Sequence, residues 1–294
     1  MGEQTRHVPP PLACRTAVFE FHNRSYIMGI LNVTPDSFSD GGRYCTTEQA
    51  VAHGMDLAQQ GADIIDIGGE STRPGAGAVS AEEETARVLP VIEELASRIR
   101  VPLSIDTTKA EVARRALDAG AEIVNDISAM RMDPEMAPVV AAYEVPVILM
   151  HMLGTPATMQ KKTHYNDLLH DIRDFLEQRI DAACNAGIAP DRIIIDPGIG
   201  FGKSVHRDNF ILLNKLATFT CLGRPVLIGP SRKRFLGTLL GKEVTRREEG
   251  TAAAVAIAVY NGASFVRVHD VEAMKLVVKT ADAIKRAETC EDMP

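Results

Sequence analysis

One apolar strand, one amphipathic helix and a second apolar strand follow one another in VPLSIDTTKAEVARRALDAGAEIVNDIS (101–128). The strands are apolar without alternation, as expected when helices cover both faces of a parallel sheet. Gly120 suits the left-handed turn that ends a helix. The strands end on Asp106 and Asn125, so each delivers a polar side chain to its carboxyl end. This stretch predicts one unit of a βα repeat.

The same unit occurs eight times along the chain. Strict alternation of strand and helix favours a parallel sheet, and eight units favour an α/β fold closed into a (β/α)8 TIM barrel. A doubly wound open sheet is the alternative. Helices are predicted near 47–60, 81–99, 109–119, 133–143, 165–187, 206–217, 249–262 and 270–288. Polar residues at the strand ends, which a barrel gathers at one mouth, are Asn32, Asp66, Asp106, Asn125, His151, Asp196, Lys233 and His269.

The barrel is expected to form a single domain with short flanking segments. The alternating residues 14–24 predict a small β-hairpin ahead of the barrel, with its turn at His22–Asn23. The predicted organisation is a flexible N-terminal tail at 1–13, one barrel domain at 14–288 and a C-terminal tail at 289–294.

Composition excludes several classes of protein. The net charge of −7 over 294 residues gives no basic nucleic-acid footprint. The five cysteines show no C-x-x-C spacing, which argues against disulfides or a zinc site and favours a reducing cytoplasm. No apolar run approaches the roughly 18 residues of a membrane span. We therefore expect a cytoplasmic protein that binds neither nucleic acid nor membrane.

Two connections that follow strands are long. Residues 33–46 and 70–80 are rich in Gly, Ser, Thr and Pro, and they follow the first two barrel strands. Long loops in a compact domain are usually functional or disordered. Because barrel enzymes carry their chemistry on this face, we interpret both loops as lids over a site.

Three strand ends supply acids and amides to the predicted mouth. Asp106 could cap the following helix, although Thr107 or Thr108 could take that role. Of Asn125 and its neighbour Asp126, one is expected to point into the mouth, and the other to cap a helix or pair locally. Asp196 precedes GIGFGKS (198–204), which satisfies neither common phosphate motif, so its glycines are interpreted as room for a flat ligand.

The last two barrel strands supply cations and donors. Arg267 and His269 alternate and so share the interior face of their strand, where they predict an anion site. Lys233 could donate to a carbonyl or a phosphate; a Schiff-base role is the weaker alternative. Asn32, with phosphate oxygens and water, could hold Mg²⁺. Such a mouth suits a flat heterocycle with an anionic tail and displacement of a phosphate-type leaving group.

These motifs together resemble the dihydropteroate synthase family over about residues 14–288. The two loop motifs are the most specific part of the resemblance. In the family's order, the chain carries MGILNVTPDSFSDGG (28–42), DIGGESTRPGA (66–76), SIDTTK (104–109), IVNDIS (123–128), LMHM (149–152), DPGIGFGK (196–203), SRKRFLG (231–237) and RVHDV (267–271).

The resemblance implies a transferase of folate biosynthesis. Such an enzyme joins p-aminobenzoate to 6-hydroxymethyl-7,8-dihydropterin diphosphate and releases pyrophosphate by an SN1-like path. It also implies Mg²⁺ as the cofactor and a homodimer formed through the later helices. Arg234 stands where some members carry a small hydroxyl residue, which leaves its contact to p-aminobenzoate open. The uninterrupted first loop leads us to expect a sulfonamide target.

The resemblance assigns roles residue by residue. It places the pterin against Asp106, Asn125, Asp196 and Lys233, with apolar walls from Ile127, Met150 and Phe201. It gives the diphosphate to Arg267 and His269, and the metal to Asn32. It forms the p-aminobenzoate pocket under the loops from Asp36, Phe38, Ser39, Thr72 and Arg73. It makes Asp106, Lys233, Asp36 and Arg73 catalytic.

Two other functions fit part of the pattern. A pterin-dependent methyltransferase acting on a corrinoid protein would share the barrel and similar acids. Such an enzyme needs no diphosphate-binding site, so Arg267, His269 and the two long loops argue against it. A non-catalytic pterin-binding protein would be indicated by missing mouth residues, and none is missing.

Overall fold

The computed structural model describes residues 8–34, 46–72, 77–160 and 163–287. Two short antiparallel strands come first, β1 (Leu12–Ala13) and β2 (Val18–Phe19). Eight parallel strands follow: β3 (Tyr26–Asn32), β4 (Ile64–Gly68), β5 (Leu103–Asp106), β6 (Ile123–Asp126), β7 (Val147–Met150), β8 (Ile193–Asp196), β9 (Leu227–Ile228) and β10 (Phe265–Val268).

The eight parallel strands close into a barrel. Each strand from β3 to β7 pairs with the next one in the chain, and β10 pairs with both β9 and β3. A parallel bridge between Ile195 and Val226 joins β8 to the start of β9. The predicted TIM barrel is confirmed, and the doubly wound open sheet is wrong.

Nine α-helices occur in the described part of the chain: α1 (Thr47–Gln60), α2 (Ala81–Arg98), α3 (Ala110–Asp118), α4 (Met136–Tyr143), α5 (Leu168–Asn185), α6 (Asp208–Asn214), α7 (Arg234–Leu240), α8 (Glu248–Tyr260) and α9 (Val271–Ala287). Eight match the predicted helices. Gly61 and Gly120 follow α1 and α3 with φ of 98° and 117°, as the predicted left-handed helix ends require. Every described helix is too short or too polar to cross a lipid bilayer.

Helix α7 was not predicted, and α6 is shorter than expected. Phe235 and Leu236 of α7 are buried against the core. Helix α6 ends at Asn214, and a 3₁₀ segment, Leu216–Leu222, replaces the last predicted turn. Short elements of this kind carry too few residues for a clear helical period.

The N-terminal hairpin exists, but its predicted turn at His22–Asn23 is wrong. The turn spans Cys14 to Ala17, closed by a 2.8 Å hydrogen bond from the Cys14 amide to the Ala17 carbonyl. Glu122, the residue before β6, accepts 2.9 Å hydrogen bonds from the backbone N–H and hydroxyl of Thr16. This long-range contact fixes the turn. The predicted tail boundary at residue 13 therefore falls inside the hairpin.

The hairpin plugs the amino-terminal end of the barrel. Leu12 and Phe19 are buried there with inward-facing strand residues, among them Met28, Ile123 and Phe265. The rings of Phe19 and Phe265 meet edge to face, with centroids 5.3 Å apart. A larger apolar core lies between the strands and the helices. Because side chains fill the amino-terminal end of the barrel, a ligand can enter only at the carboxyl-terminal mouth.

Candidate active site

Strand register brings the first polar strand ends to one level of the mouth. Asn32 pairs with Gly68 across β3 and β4, Gly68 with Asp106, and Asp106 with Asn125. Partnered residues of neighbouring parallel strands point to the same face of a sheet. Gly68 leaves room in this row, because a Cβ placed there would lie 3.6 Å from the Cβ of Asp106. Three polar side chains therefore converge around a small gap.

An arginine on β10, the strand that pairs with β3, binds to this row. Arg267 on β10 donates from Nε to Asp66 Oδ2 at 2.6 Å and from Nη2 to Asp106 Oδ2 at 2.8 Å. Asn125 donates from Nδ2 to the same Asp66 oxygen at 3.0 Å. Asp66 is wholly buried, and its Oδ1 has no hydrogen-bond partner in the part of the chain that the structure describes. Asp66 therefore holds the Arg267 and Asn125 side chains in place. Asp106 uses Oδ2 for Arg267 and keeps Oδ1 for a ligand.

Burial changes the acidity of Asp106. It raises the pKa of this carboxyl group to about 7, and the Asp66, Glu84 and Asp126 carboxylates act in the same direction. The Arg267 guanidinium opposes the shift. Asp106 therefore titrates near neutrality in the ligand-free protein. Strong shifts of this kind are typical of functional sites.

A second cluster forms from β8 and the turn after β9. Asp196 Oδ1 accepts from the Gly198 amide at 2.7 Å, which leaves Oδ2 for a ligand. Lys233 Nζ donates to the Ile199 carbonyl and lies 4.5 Å from the centre of the Phe201 ring. Burial raises the pKa of Asp196 and lowers the pKa of Lys233 to about 8, and the attraction between the two groups opposes both shifts.

An apolar wall lies beside these groups. Ile127, Met150 and Phe201 pack together with two methionines that sequence reasoning did not select, Met152 and Met159. Met150 pairs with Asp196 across β7 and β8. A flat ligand held by Asp196 would therefore meet this wall with its ring face. Methionines adapt well to irregular ligand surfaces.

Ser231 and His269 join the ends of the last two strands. The Ser231 hydroxyl lies 2.9 Å from His269 Nδ1 and accepts from the His269 amide at 3.3 Å. Both Lys233 and His269 therefore belong to the same corner of the mouth as Arg267. Ser231 was missed as a site residue, although its place in SRKRFLG beside Lys233 was the available signal.

The metal prediction concerns Asn32. Its partly buried side chain ends β3 in the row with Asp106. No group of three or more His, Cys, Asp or Glu side chains among the described residues could hold a metal. Mg²⁺ commonly takes one or two protein oxygens and completes its shell with phosphate oxygens and water. The Asn32 carbonyl fits this limited requirement.

The Gly-rich loop after β8 is held from several sides. Lys203 is wholly buried, with Nζ 2.7 Å from His151 Nδ1 and 3.1 Å from the His151 carbonyl oxygen. Tyr165 and Gln160 donate to the Gly202 and Gly200 carbonyls at 2.8 and 2.9 Å. His151 is thus a buried structural residue, and burial lowers its pKa to about 2. These contacts fix Phe201 and the backbone that Lys233 binds.

The base of the second long loop is also fixed. Lys109 Nζ pairs with Glu70 at 2.5 Å and with the wholly buried Glu84 at 2.6 Å. Glu70 Oε1 accepts from the Val79 amide at 3.0 Å, which joins the two ends of the loop. Thr72 is half-buried beside this anchor. Asp36, Phe38, Ser39 and Arg73, which were predicted for the loops, lie outside the described residues.

The structure also resolves the choices left open by the sequence. Asn125 points into the mouth, whereas Asp126 accepts from the Ser128 and Met130 amides at 2.7 and 3.0 Å and so shapes the turn before α4. Asp106 forms no cap, because α3 begins at Ala110. Arg234 is exposed as the first residue of α7.

Comparison with known proteins agrees with this geometry. Residues 28–269 match the family model described as pterin binding enzyme. The dihydropteroate synthase of Synechocystis sp. is 48% identical, covering 97% of this chain and 99% of its own length. A structure of the Xanthomonas albilineans dihydropteroate synthase with 4-aminobenzoic acid has a TM-score of 0.87 and 49% identity, covering 94% of this chain and 98% of its own.

A structure of the Yersinia pestis dihydropteroate synthase in a sulfonamide drug complex has a TM-score of 0.89 and 42% identity, covering 94% of this chain and 99% of its own. The barrel and its polar mouth, with the family match, define a pterin-binding enzyme. Within that class, the near-complete coverage at these identities is decisive. The chain belongs to the dihydropteroate synthase family.

Proposed function

We propose that this chain joins p-aminobenzoate to the methylene carbon of 6-hydroxymethyl-7,8-dihydropterin diphosphate, giving 7,8-dihydropteroate and pyrophosphate. The observation that carries the proposal is 48% identity over nearly the whole length of a dihydropteroate synthase. The convergence of Asp106, Asn125, Asp196 and Lys233 on one mouth supports it, because these groups complement a flat heterocycle with several donors and acceptors.

The pterin ring would lie against the apolar wall of Ile127, Met150 and Phe201. The free Oδ2 of Asp196 can accept from an exocyclic amine or a ring N–H, and an ionised acceptor strengthens that bond. Asn125 has Oδ1 left for the ring, since Nδ2 is used by Asp66. Lys233 would donate to the ring carbonyl.

The diphosphate would bind at the corner formed by Arg267 and His269. Arg267 keeps Nη1 for a phosphate oxygen, because Nε and Nη2 serve the two aspartates. In the SN1-like path, the bond from the methylene carbon to the diphosphate oxygen breaks first, and the electron pair leaves with pyrophosphate. The cation delocalises into the ring beside Asp106, whose charge stabilises it. The arylamine nitrogen then bonds to the methylene carbon and loses a proton.

Mg²⁺ is proposed as the cofactor, with Asn32 as its protein ligand. Bound there, the metal would neutralise charge on the departing pyrophosphate. Asn32 at the end of β3, with Arg267 on β10 and His269 directly after it, would orient the same group from two neighbouring strands. The removal of water from the closed site would protect the cation from hydrolysis.

The p-aminobenzoate pocket is proposed to form under the two long loops. Thr72 and Arg73 would come from the second loop, and Asp36, Phe38 and Ser39 from the first. Asp36 and Arg73 retain the catalytic roles that the resemblance implies. Arg234 is exposed, so a backbone N–H is the better candidate for the p-aminobenzoate carboxylate. Sulfonamides, as p-aminobenzoate analogues, are expected to compete at this pocket.

The remaining proposals concern assembly and location. A homodimer through the later helices is supported by exposed apolar side chains on α7 and α8, including Leu239, Leu240 and Ile257. A cytoplasmic location is supported by the absence of paired cysteines among the described residues. The barrel domain is proposed to span 14–288, with the addition of β1 from Leu12 and short terminal tails.

The direct test is turnover with purified protein, both substrates and Mg²⁺. We expect pyrophosphate and 7,8-dihydropteroate in equal amounts. Tight pterin binding without product would favour a non-catalytic binding protein. Methyl transfer from methyl-tetrahydrofolate to a corrinoid protein, without pyrophosphate release, would favour the methyltransferase.

A further inference from the structure

Arg232 has a strained backbone at the edge of the site. Its φ is 56°, in the left-handed backbone region that is unfavourable for residues other than glycine, asparagine and aspartate. Strain of this kind persists only where the surroundings hold the residue, and it concentrates at functional sites. An arginine at this position therefore calls for an explanation in terms of what its side chain does.

Both the backbone N–H and the backbone carbonyl of Arg232 form hydrogen bonds to side chains of other residues. Its amide donates to the hydroxyl of the wholly buried Thr251 on α8 at 3.1 Å. Its carbonyl accepts from Arg247 Nη1 at 2.9 Å. The turn between β9 and α7 is thus fastened to the start of α8.

The Arg232 side chain reaches across to the next strand end. Nε donates to Asp270 Oδ2 at 3.1 Å, and Nη2 donates to Asp270 Oδ1. This two-point geometry fixes orientation as well as distance. Asp270 directly follows His269, and Arg232 lies directly between Ser231 and Lys233. The pair therefore links the turn that carries Lys233 to the turn that carries His269.

We propose that Arg232 and Asp270 are positioning residues that hold Lys233 and His269 at the spacing that a pterin diphosphate requires. The inference rests on the proposed function, in which Lys233 meets the ring and His269 meets the diphosphate. Ser231 forms a parallel link, through its hydroxyl to His269 Nδ1. Two links between the same turns leave little freedom for the two ligand groups to separate. A displacement of about 1 Å at a reacting group can cost about a hundredfold in rate.

The backbone strain allows a test that separates positioning from stability. Arg232→Gly removes the ion pair and relieves the strain, whereas Arg232→Ala removes the ion pair and keeps the strain. Asp270→Asn keeps the shape of the partner and removes its charge. Arg246→Ala is the matched control, because Arg246 is an exposed arginine nearby with no described side-chain partner. All four variants are compared with the wild type in thermal melting and in steady-state kinetics.

We expect Arg232→Gly, Arg232→Ala and Asp270→Asn each to lower kcat/KM for the pterin diphosphate at least about tenfold, with KM for p-aminobenzoate within about twofold of the wild type. Arg232→Gly should melt about 2–4 °C above Arg232→Ala, since it is free of the strain. The control should match the wild type in both measurements.

Wild-type kcat/KM in Arg232→Gly or Asp270→Asn would overturn the inference. So would activity that follows melting temperature across the series, or loss of a cooperative melt in Arg232→Gly, because either result assigns the pair to folding. A wild-type protein that makes no product would instead refute the proposed function. The two failures are therefore distinguishable.

Discussion

Arg267 Nη2 lies 2.8 Å from Asp106 Oδ2, although the two residues are 161 positions apart in the chain. This ion pair links the proposed cation-stabilising acid to the proposed diphosphate ligand before any substrate binds. When the diphosphate binds, Arg267 must share its charge between a phosphate oxygen and Asp106. As pyrophosphate departs with the electron pair of the broken bond, the Asp106 carboxylate faces the developing pterin cation.

Asp106→Asn should lower the rate more than it weakens binding. The amide keeps the size and a hydrogen-bonding oxygen but carries no charge for the cation. We expect kcat to fall about a hundredfold or more, as for loss of one preorganised electrostatic group, with a smaller change in pterin diphosphate affinity. Steady-state kinetics and calorimetry measure the two quantities. Asp191→Asn, at an exposed acid outside the mouth, is the control.

An Asp106→Asn variant with the wild-type kcat and greatly weakened pterin binding would contradict the cation-stabilising role. It would make Asp106 a binding residue alone.

Arg267→Met should destabilise the ligand-free protein. It leaves the wholly buried Asp66 without its cation, and removal of one partner from a buried ion pair costs roughly 3–5 kcal/mol. The double variant Arg267→Met/Asp66→Asn should recover much of this loss, because it removes the stranded charge. Urea unfolding gives both values. No recovery in the double variant would show that the Asp66 pairing is not the source of the loss.

The same Arg267→Met variant tests the diphosphate assignment. Affinity for the pterin diphosphate should fall more than affinity for the bare 6-hydroxymethyl pterin. Equal losses for the two ligands would show that Arg267 supports the ring site alone. Asp66→Asn serves as the control for disturbance of the ring site, because it alters the same network without removing the guanidinium.

The pH dependence of kcat/KM should be bell-shaped. Asp106 must be ionised to stabilise the cation, so activity should rise with pH through about 7. Lys233 must be protonated to donate to the ring carbonyl, so activity should fall as pH rises through about 8. Asp66→Asn should move the acidic limb to lower pH, because the Asp66 charge helps to raise the pKa of Asp106. An unmoved acidic limb would assign that limb to a substrate group.

The same groups affect stability without ligand. The folded-state pKa of Asp106 is raised from 3.8 to about 7, so the folded protein binds more protons in that interval and Asp106 makes it less stable as pH rises. The pKa of Lys233 is lowered from 10.5 to about 8, so the unfolded chain binds more protons between these two pH values. In that interval, Lys233 makes the folded protein more stable as pH rises. Comparing Asp106→Asn with the wild type in melting curves from pH 4 to 7 isolates the first effect.

Lys109→Met should weaken the anchor of the second loop. The substitution leaves Glu84, which has no exposed side-chain area, without its ion-pair partner, and the expected loss of stability is about 3 kcal/mol. A Glu84→Gln substitution in the same background should restore part of the loss. Chemical unfolding of the single and double variants checks both values, and additive losses would contradict the pairing.

The sequence predicted most of the barrel because its signals are local and repeated. Apolar strands, helix-ending glycines and polar strand ends recur in each unit. Closure at one mouth then follows from parallel topology, and the row through Asn32, Asp106 and Asn125 follows from register. The sequence also predicted that one of Asn125 and Asp126 would point into the mouth and that the other would cap a helix or pair locally.

Other features depend on contacts between distant residues. The hairpin turn is fixed by Glu122, 106 positions from Thr16. Asp66 appeared as one strand end among eight, and nothing local predicts that it pairs with Arg267, 201 positions away. Lys203 ends a Gly-rich stretch that satisfies neither common phosphate motif, and nothing local predicts that it is buried against His151. Helix α7, with seven residues or about two turns, is too short to show a clear periodic pattern.

The most direct measurement is the structure of a crystal soaked with the pterin diphosphate, Mg²⁺ and a non-reactive p-aminobenzoate analogue. We predict the pterin ring against Phe201 with its polar edge on Asp196 and Asn125, and the diphosphate on Arg267 and His269. A ligand bound elsewhere, or a diphosphate directed away from Arg267, would contradict the account.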